Sequence, residues 1–173
     1  MDFLEELKVI KSIDVIKDYW ALIRCRPDLG TLELRVMDMP GSIEDVFKIA
    51  ALYQTLVAYL LESDYKISEI YPNPKSDLHL NVNLQKAAVH GLDTDLLNFP
   101  FYDQKLPAPE AINKLIDVLI PNAKKLGTEE ELRGIYGIIN YGTGADKQLA
   151  QYKKTKSLKK VVSDAIMRTK IIS

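Results

Sequence analysis

Four residues within a dozen positions carry the chemistry that this sequence offers: Arg24, Arg26, Glu33 and Arg35. Glu33 and Arg35 stand two apart in a stretch of alternating character, so on a strand their side chains leave the same face about 7 Å apart. Arg24 and Arg26 share a face of the preceding segment by the same parity. Folded back on each other, the two segments bring one carboxylate and up to three guanidiniums together. Guanidiniums grip phosphate and carboxylate oxygens bidentately, and a carboxylate can hold the Mg²⁺ that bridges nucleotide phosphates. The row therefore suits ATP-dependent chemistry on acidic substrates. By composition alone, the same residues more readily describe an amphipathic hairpin whose charges pair across strands on a wet face.

The elements that must position this row follow from the pattern around it. Residues 20–26 alternate, Pro27-Asp28-Leu29-Gly30 supplies turn chemistry, and residues 31–38 alternate again, with Leu32, Leu34 and Val36 against Glu33, Arg35 and Met37. This is a β-hairpin. Residues 3–19 lean helical with a break around Lys11 and Ser12. After Pro40-Gly41, Ser42 caps a long helix over 43–62, with Asp45 in the place of a capping-box acid, and its apolar positions make it largely buried. A loop over 62–77 leads to a helix from about His79 to His90, closed by Gly91. An irregular stretch spans Asp93–Pro107. Pro109 then opens a helix that Pro121 stops. Thr128 and Glu131 read as a capping box for a helix ending at Gly142. A short helix covers Ala145–Tyr152. Ser157 caps the last one, with Leu158, Val161, Val162, Ala165 and Ile166 facing inward.

The fold class is thus α+β and mostly helical: a β-hairpin, as part of an incomplete antiparallel sheet, backed by five or six helices in a single domain over 1–173. Two strands with a polar face are marginal alone, so something else should pair with them.

The length of 173 residues and 47% hydrophobic content allow one globular core. Lys+Arg 23 against Asp+Glu 24 gives a net charge of -1 and no global field for nucleic acid or anionic membrane. A lone Cys25 with His79 and His90 excludes a disulfide framework and a Cys/His zinc site within one chain. No run is long and apolar enough for a membrane span and the N-terminus is acidic, which predicts a cytoplasmic protein.

The remaining motifs have bland explanations. Lys153, Lys154, Lys156, Lys159 and Lys160 read as a solvated helix end. Gly142-Thr-Gly144 lacks the strand and the Lys-Ser/Thr of a phosphate loop and reads as a helix-to-helix turn. His79 and His90, about 16 Å apart along a helix, cannot share a metal. Cys25 reads as a small buried hydrophobe, and Tyr53 and Tyr136 as core.

The run from Tyr19 to Leu61 resembles the C-terminal half of bacterial carboxylate-amine ligases of the glutamate-cysteine ligase type. The matching residues are Arg24, Pro27, Gly30, Thr31, Glu33, Arg35, Asp38 and the helix from Ser42. Weaker likeness continues through Asn83 to Asp93 and through Gly142 to Gln148. The Glu-x-Arg-x-x-Asp strand followed by a helix is also similar to glutamine synthetase. That likeness implies the floor of an antiparallel funnel for Mg-ATP and glutamate.

The resemblance further implies Glu33 as a ligand of an active-site metal, Arg24 and Arg35 as catalytic guanidiniums, and Arg26 with Arg35 as binders of the nucleotide phosphates. Mg²⁺ and ATP are the implied cofactors. Glutamate and an amine such as cysteine are the implied substrates, in a step of glutathione biosynthesis. Asp38, on the opposite parity from Glu33, reads as a strand-end or turn residue. Cys25 and Arg26 stand where the family usually has Pro and His, and Gln85 and Val89 where it often has aromatic and basic residues. Such ligases run to about twice this size, so the resemblance implies that the chain alone is inactive. It would act with an N-terminal half or as a homo-oligomer through the hairpin edge. A non-catalytic interaction or dimerisation module is the alternative.

Overall fold

In the computed structural model, which describes residues 22–26, 28–63, 78–97 and 105–169, helix takes 70% of the described residues. The alternating segments form an antiparallel hairpin, β1 (Ile23–Arg26) and β2 (Thr31–Leu34). Its register pairs Ile23 with Leu34, Arg24 with Glu33, Cys25 with Leu32 and Arg26 with Thr31. Gly30 at φ 63 supplies the left-handed residue that closes the turn, and the Leu29 amide donates to the Arg26 carbonyl at 3.0 Å. β2 is shorter than the alternation to residue 38 suggests: pairing ends with the Arg35 amide donating to the Leu22 carbonyl at 2.8 Å, and a bend follows at Val36 and Met37. The expected helical segment over 3–19 and most of the expected loop over 62–77 lie outside the described residues.

Tertiary contacts group the chain into two units, residues 1–39 and 40–173. The second is built around α1 (Ile43–Glu62), where the Ser42 hydroxyl accepts from the Asp45 amide at 3.2 Å. Asp45 does not close a capping box; its carboxylate accepts from Lys48 at 2.7 Å instead. Nor is α1 largely buried: only Ala51 and Thr55 are, while Phe47 and Leu61 face outward. Its period-3.6 stripe is wider than the neighbours that cover it.

The helix α2 (Leu78–His90) ends where Gly91, at φ 58, donates its amide to the Ala87 carbonyl at 2.8 Å. The stretch expected to be irregular contains a two-residue ladder, β3 (Asp95–Leu96) against β4 (Leu106–Pro107). No period could announce so short a pairing. It is held from outside: Asn83 donates its amide to the Leu97 carbonyl and accepts from the Leu97 amide, both at 2.7 Å.

Pro121 does not stop the next helix. α3 runs through it from Ala108 to Leu126 and ends at Gly127, φ 71. A helix-interior proline costs about 3 kcal/mol, but the residues just beyond it have tertiary partners. Ala123 lies in the core, and buried Asn122 donates to Glu62 at 3.0 Å. The single helix expected over 128–142 is two, α4 (Glu129–Arg133) and α5 (Ile135–Tyr141). They part at Gly134, where Lys48 of α1 crosses so closely that a β-carbon would meet its Cγ at 2.8 Å. Thr128 makes no cap hydrogen bond; its hydroxyl lies 3.5 Å from that of buried Thr55. Ile116, Leu119 and Ala123 of α3, Leu132 of α4 and Ile135 of α5 form the core, flanked by Ile49, Leu52, Leu56 and Tyr59 of α1.

Two helices complete the unit, α6 (Gly144–Thr155) and α7 (Leu158–Thr169). Thr143 and Asp146 form a full capping box for α6, inside the segment that the sequence reads only as a helix-to-helix turn. The Lys160 amide donates to the Ser157 hydroxyl at 3.4 Å at the start of α7. The apolar residues of α7 are not inward: Leu158, Val162 and Ile166 are each more than half exposed. The two helices pack chiefly on each other, which covers only one flank of each. Among the described residues no helix is long and apolar enough to cross a membrane.

Candidate active site on the β-hairpin

Strand parity and register decide which side chains share a face. Arg24 lies directly opposite Glu33, and Arg35 follows Glu33 by two, so Arg24, Arg26, Thr31, Glu33 and Arg35 fall on one face, with Ile23, Cys25, Leu32 and Leu34 on the other. Glu33 is the centre of the row. Its Oε2 accepts from Arg24 Nε at 2.9 Å and from Arg24 Nη2 at 2.6 Å. Its Oε1 lies 3.6 Å from Arg35 Nε. The Arg24 side chain is only 10% exposed and that of Arg35 20%, against 38% for Glu33. The guanidiniums are thus more sheltered than the carboxylate between them. Two cations and one anion leave the trio at a net +1 on one face of the ladder.

Arg26 shares that face by parity but is drawn away from it. Its Nε and Nη2 donate to Asp28 at 3.0 and 2.7 Å, across the turn. The hydrogen bond from Arg26 holds the Asp28 carboxyl below its ordinary range. The structure brings Arg24, Glu33 and Arg35 together and keeps Arg26 in a separate pair, a partition that parity alone could not reveal. The turn residue Asp28, two positions from Arg26, was its signal. Asp38 lies beyond the end of β2, exposed in the irregular approach to α1. Strand parity therefore does not set the direction of its side chain.

Cys25 is exposed, contrary to the expectation of a buried hydrophobe. It lies on the apolar face of a two-stranded hairpin, where Ile23 and Leu32 are also about half exposed. Two strands have nothing of their own with which to cover that face.

The arrangement does not by itself fit a Mg²⁺ ion. Among the described residues no three His, Cys, Asp or Glu side chains gather closely enough to hold a metal. Both oxygens of Glu33 already face guanidiniums, which would repel a divalent cation in the same place. What the row offers is oxyanion recognition: planar forks matched to phosphate or carboxylate, oriented by a carboxylate between them.

The other two motif blocks serve the scaffold. Asn83 fixes Leu97 as described, and Gly91 terminates α2. Thr143 and Asp146 cap α6, and the hydroxyl and amide of Thr143 hold the Asp146 carboxyl below its usual value. His79 and His90 sit at opposite ends of α2. The five lysines from 153 to 160 are all exposed, as a solvated helix end requires. Tyr136 packs beside the core and donates to Asp117 at 2.8 Å.

The family model for glutamate-cysteine ligase family 2 matches residues 2–164. A protein of Solibacter usitatus assigned by name as glutamate-cysteine ligase 2 is 35% identical over 160 residues, which is 91% of this chain and 40% of the relative. A namesake in Sorangium cellulosum is 31% identical over 171 residues, 98% of this chain and 44% of the relative. One in Rubrobacter xylanophilus, named glutamate-cysteine ligase 2-3, is 33% identical over 164 residues, 93% of this chain and 42% of its own length. The chain spans about two fifths of the length of the curated relatives it matches.

Proposed function

The chain belongs to the glutamate-cysteine ligase family 2, and from that premise we propose that it is the C-terminal portion of an ATP-dependent carboxylate-amine ligase with a glutamine synthetase-like fold. The observation that carries the reading is the row Arg24, Glu33, Arg35 on one face of the hairpin. In the proposed reaction a γ-carboxylate oxygen of glutamate attacks the γ-phosphorus of ATP, giving γ-glutamyl phosphate and ADP. The nitrogen of an amine such as cysteine then attacks the acyl carbon and expels inorganic phosphate.

Both steps gather negative charge on phosphoryl oxygens. Fixed, sheltered guanidiniums stabilise that charge without having to reorganise. Arg35 and Arg24 take this part. Glu33 holds Arg24 in place and so sets the spacing of the positive groups. Arg26 reaches a phosphate only by leaving Asp28. A metal ion belongs to this site only together with carboxylates from outside the described residues.

The reading is tested by calorimetric titration of the 173-residue chain with Mg-ATP and with glutamate, beside Arg35→Ala and Glu33→Ala, together with an assay of ADP release. We expect weak binding that both substitutions abolish and no turnover by the chain alone. Turnover should appear once the part of a relative that this chain does not span is added. Turnover that survives Arg35→Ala refutes the assignment. The half-exposed Ile23 and Leu32 favour one other reading, a non-catalytic module that pairs through the hairpin edge. A stable dimer that binds neither ligand selects it.

A further inference from the structure

The lysines of this chain divide sharply. Every described lysine outside residues 153–160 has an oxygen within 4 Å. Lys48 and Lys147 meet Asp45, Lys86 the Asp95 carbonyl, Lys105 Asp95, Lys114 Glu110, Lys124 Glu129, and Lys125 Glu62. Lys153, Lys154, Lys156, Lys159 and Lys160 meet no carboxylate among the described residues; the Lys156 ammonium instead lies 5.8 Å over the Tyr152 ring. These five crowd the tip of the α6–α7 helical hairpin. From Gly144 to Thr169 the hairpin carries seven basic residues (these five, Lys147 and Arg168) against Asp146 and Asp164, in a chain whose total is -1.

Beside that tip runs an apolar strip. Leu149, Leu158, Val162, Ile166 and Met167 are each more than half exposed. Ala145, Leu149 and Tyr152 of α6 face Leu158 and Val161 of α7 across a groove of roughly 390 Å³. Exposed large side chains at this density, rimmed by charge, mark an interaction surface. The charge argues against a second copy, since pairing two such hairpins would set lysine against lysine. The length argues for a specific occupant: the relatives carry more than half of their chain outside the portion matched here. That portion must bury apolar surface against the matched one in any shared fold.

We infer that the α6–α7 hairpin is the docking surface for the remaining portion of the ligase, which presents to it an apolar patch rimmed with carboxylates. This inference rests on the reading of the chain as one portion of a ligase, and names the partner's contact face. Apolar burial would supply most of the affinity, while the lysines set orientation and the salt dependence of encounter.

The test uses the full 173-residue chain and, as probe, a polypeptide made from the part of the Solibacter usitatus relative that this chain does not span. Binding is followed by sedimentation, and the contact face by amide hydrogen exchange. The expected result is saturable binding that protects residues 144–169. It should weaken with added salt, and at least tenfold in each of two variants, Leu158→Asp and Lys153→Glu/Lys156→Glu/Lys160→Glu. Circular dichroism should match the parent in both. Equal binding by the folded variants overturns the inference, as does protection elsewhere. So does absence of binding, self-association through the same strip, or binding to phosphatidylserine vesicles alone. Arg35→Ala separates the two readings: it should bind the probe normally and yield no γ-glutamyl product. A complex that forms through α6–α7 but is inactive with Arg35 intact refutes the ligase reading and leaves the docking surface standing.

Discussion

Removing the Glu33 carboxylate takes two charge-assisted hydrogen bonds from a sheltered guanidinium, and the cost can be worked from the geometry. Arg24 gives two charge-assisted hydrogen bonds, at 2.9 and 2.6 Å, to one oxygen of Glu33. Net contributions of hydrogen bonds to charged groups run to about 1.5–3 kcal/mol, and exposed ion pairs to about 0–1 kcal/mol. With Arg24 mostly covered and Glu33 partly wet, the coupling should fall between these, at about 1.5 kcal/mol. Glu33→Leu alone should cost more, about 2 kcal/mol, because a mostly covered guanidinium loses a hydrogen-bonded carboxylate and also keeps its desolvation. The pair Arg35 and Glu33, whose nearest charged atoms stand 3.6 Å apart, should couple by less than about 0.5 kcal/mol.

The assay is a double-mutant cycle over Arg24→Leu and Glu33→Leu, with a second over Arg35→Leu and Glu33→Leu, by urea unfolding. Because the hairpin and the helices fall in different units, two probes are needed. The single tryptophan, Trp20, lies just ahead of β1 in sequence and reports its unit, and ellipticity at 222 nm reports the helices. Coupling for Arg24 and Glu33 below about 0.5 kcal/mol, or equal coupling in both cycles, would refute the argument that Glu33 positions Arg24 in preference to Arg35.

Pro121→Ala should stabilise the helical unit by about 2 kcal/mol, from about 3 for the restored helix interior less about 1 for the freer unfolded chain; a loss of stability in denaturant melts would show that Pro121 shapes the path of α3. Gly134→Ala should destabilise the same unit by about 1–3 kcal/mol, since the added carbon would meet Lys48 Cγ at 2.8 Å and the Glu131 carbonyl at 2.9 Å, and an unchanged melting midpoint would contradict it. Hydrogen bonding from Lys125, with help from Asn122, holds the Glu62 carboxyl below its ordinary 4.5. The stabilisation from this group is therefore complete above that value and lost as pH falls through and below it; Glu62→Gln should flatten this part of the acid-unfolding curve.

The local elements were legible wherever a signal lay within one turn or one strand. Alternation around Asp28 to Gly30 gave the hairpin, Ser42 and Glu62 bounded α1, and Gly91 closed α2. Parity also put Arg24, Glu33 and Arg35 on one face, because side-chain direction on a strand follows from the backbone. The family motif lay in those same residues.

Tertiary structure decided everything that depends on a partner from afar. Pro121 is tolerated because Asn122 and Ala123 are buried against α1 and the core. Gly134 leaves no room for a side chain because Lys48, far away in sequence, crosses there. Asp95 and Leu96 form a strand because Asn83 holds the adjoining residue. The apolar stripe of α7 stays exposed because periodicity states that a face is apolar without stating what covers it. Arg24 stands closer to Glu33 than Arg35 does because the register sets Arg24 and Glu33 opposite each other, while Asp28 captures Arg26. Sequence fixes the direction of a side chain through local backbone geometry; only the folded chain sets which group stands at its end.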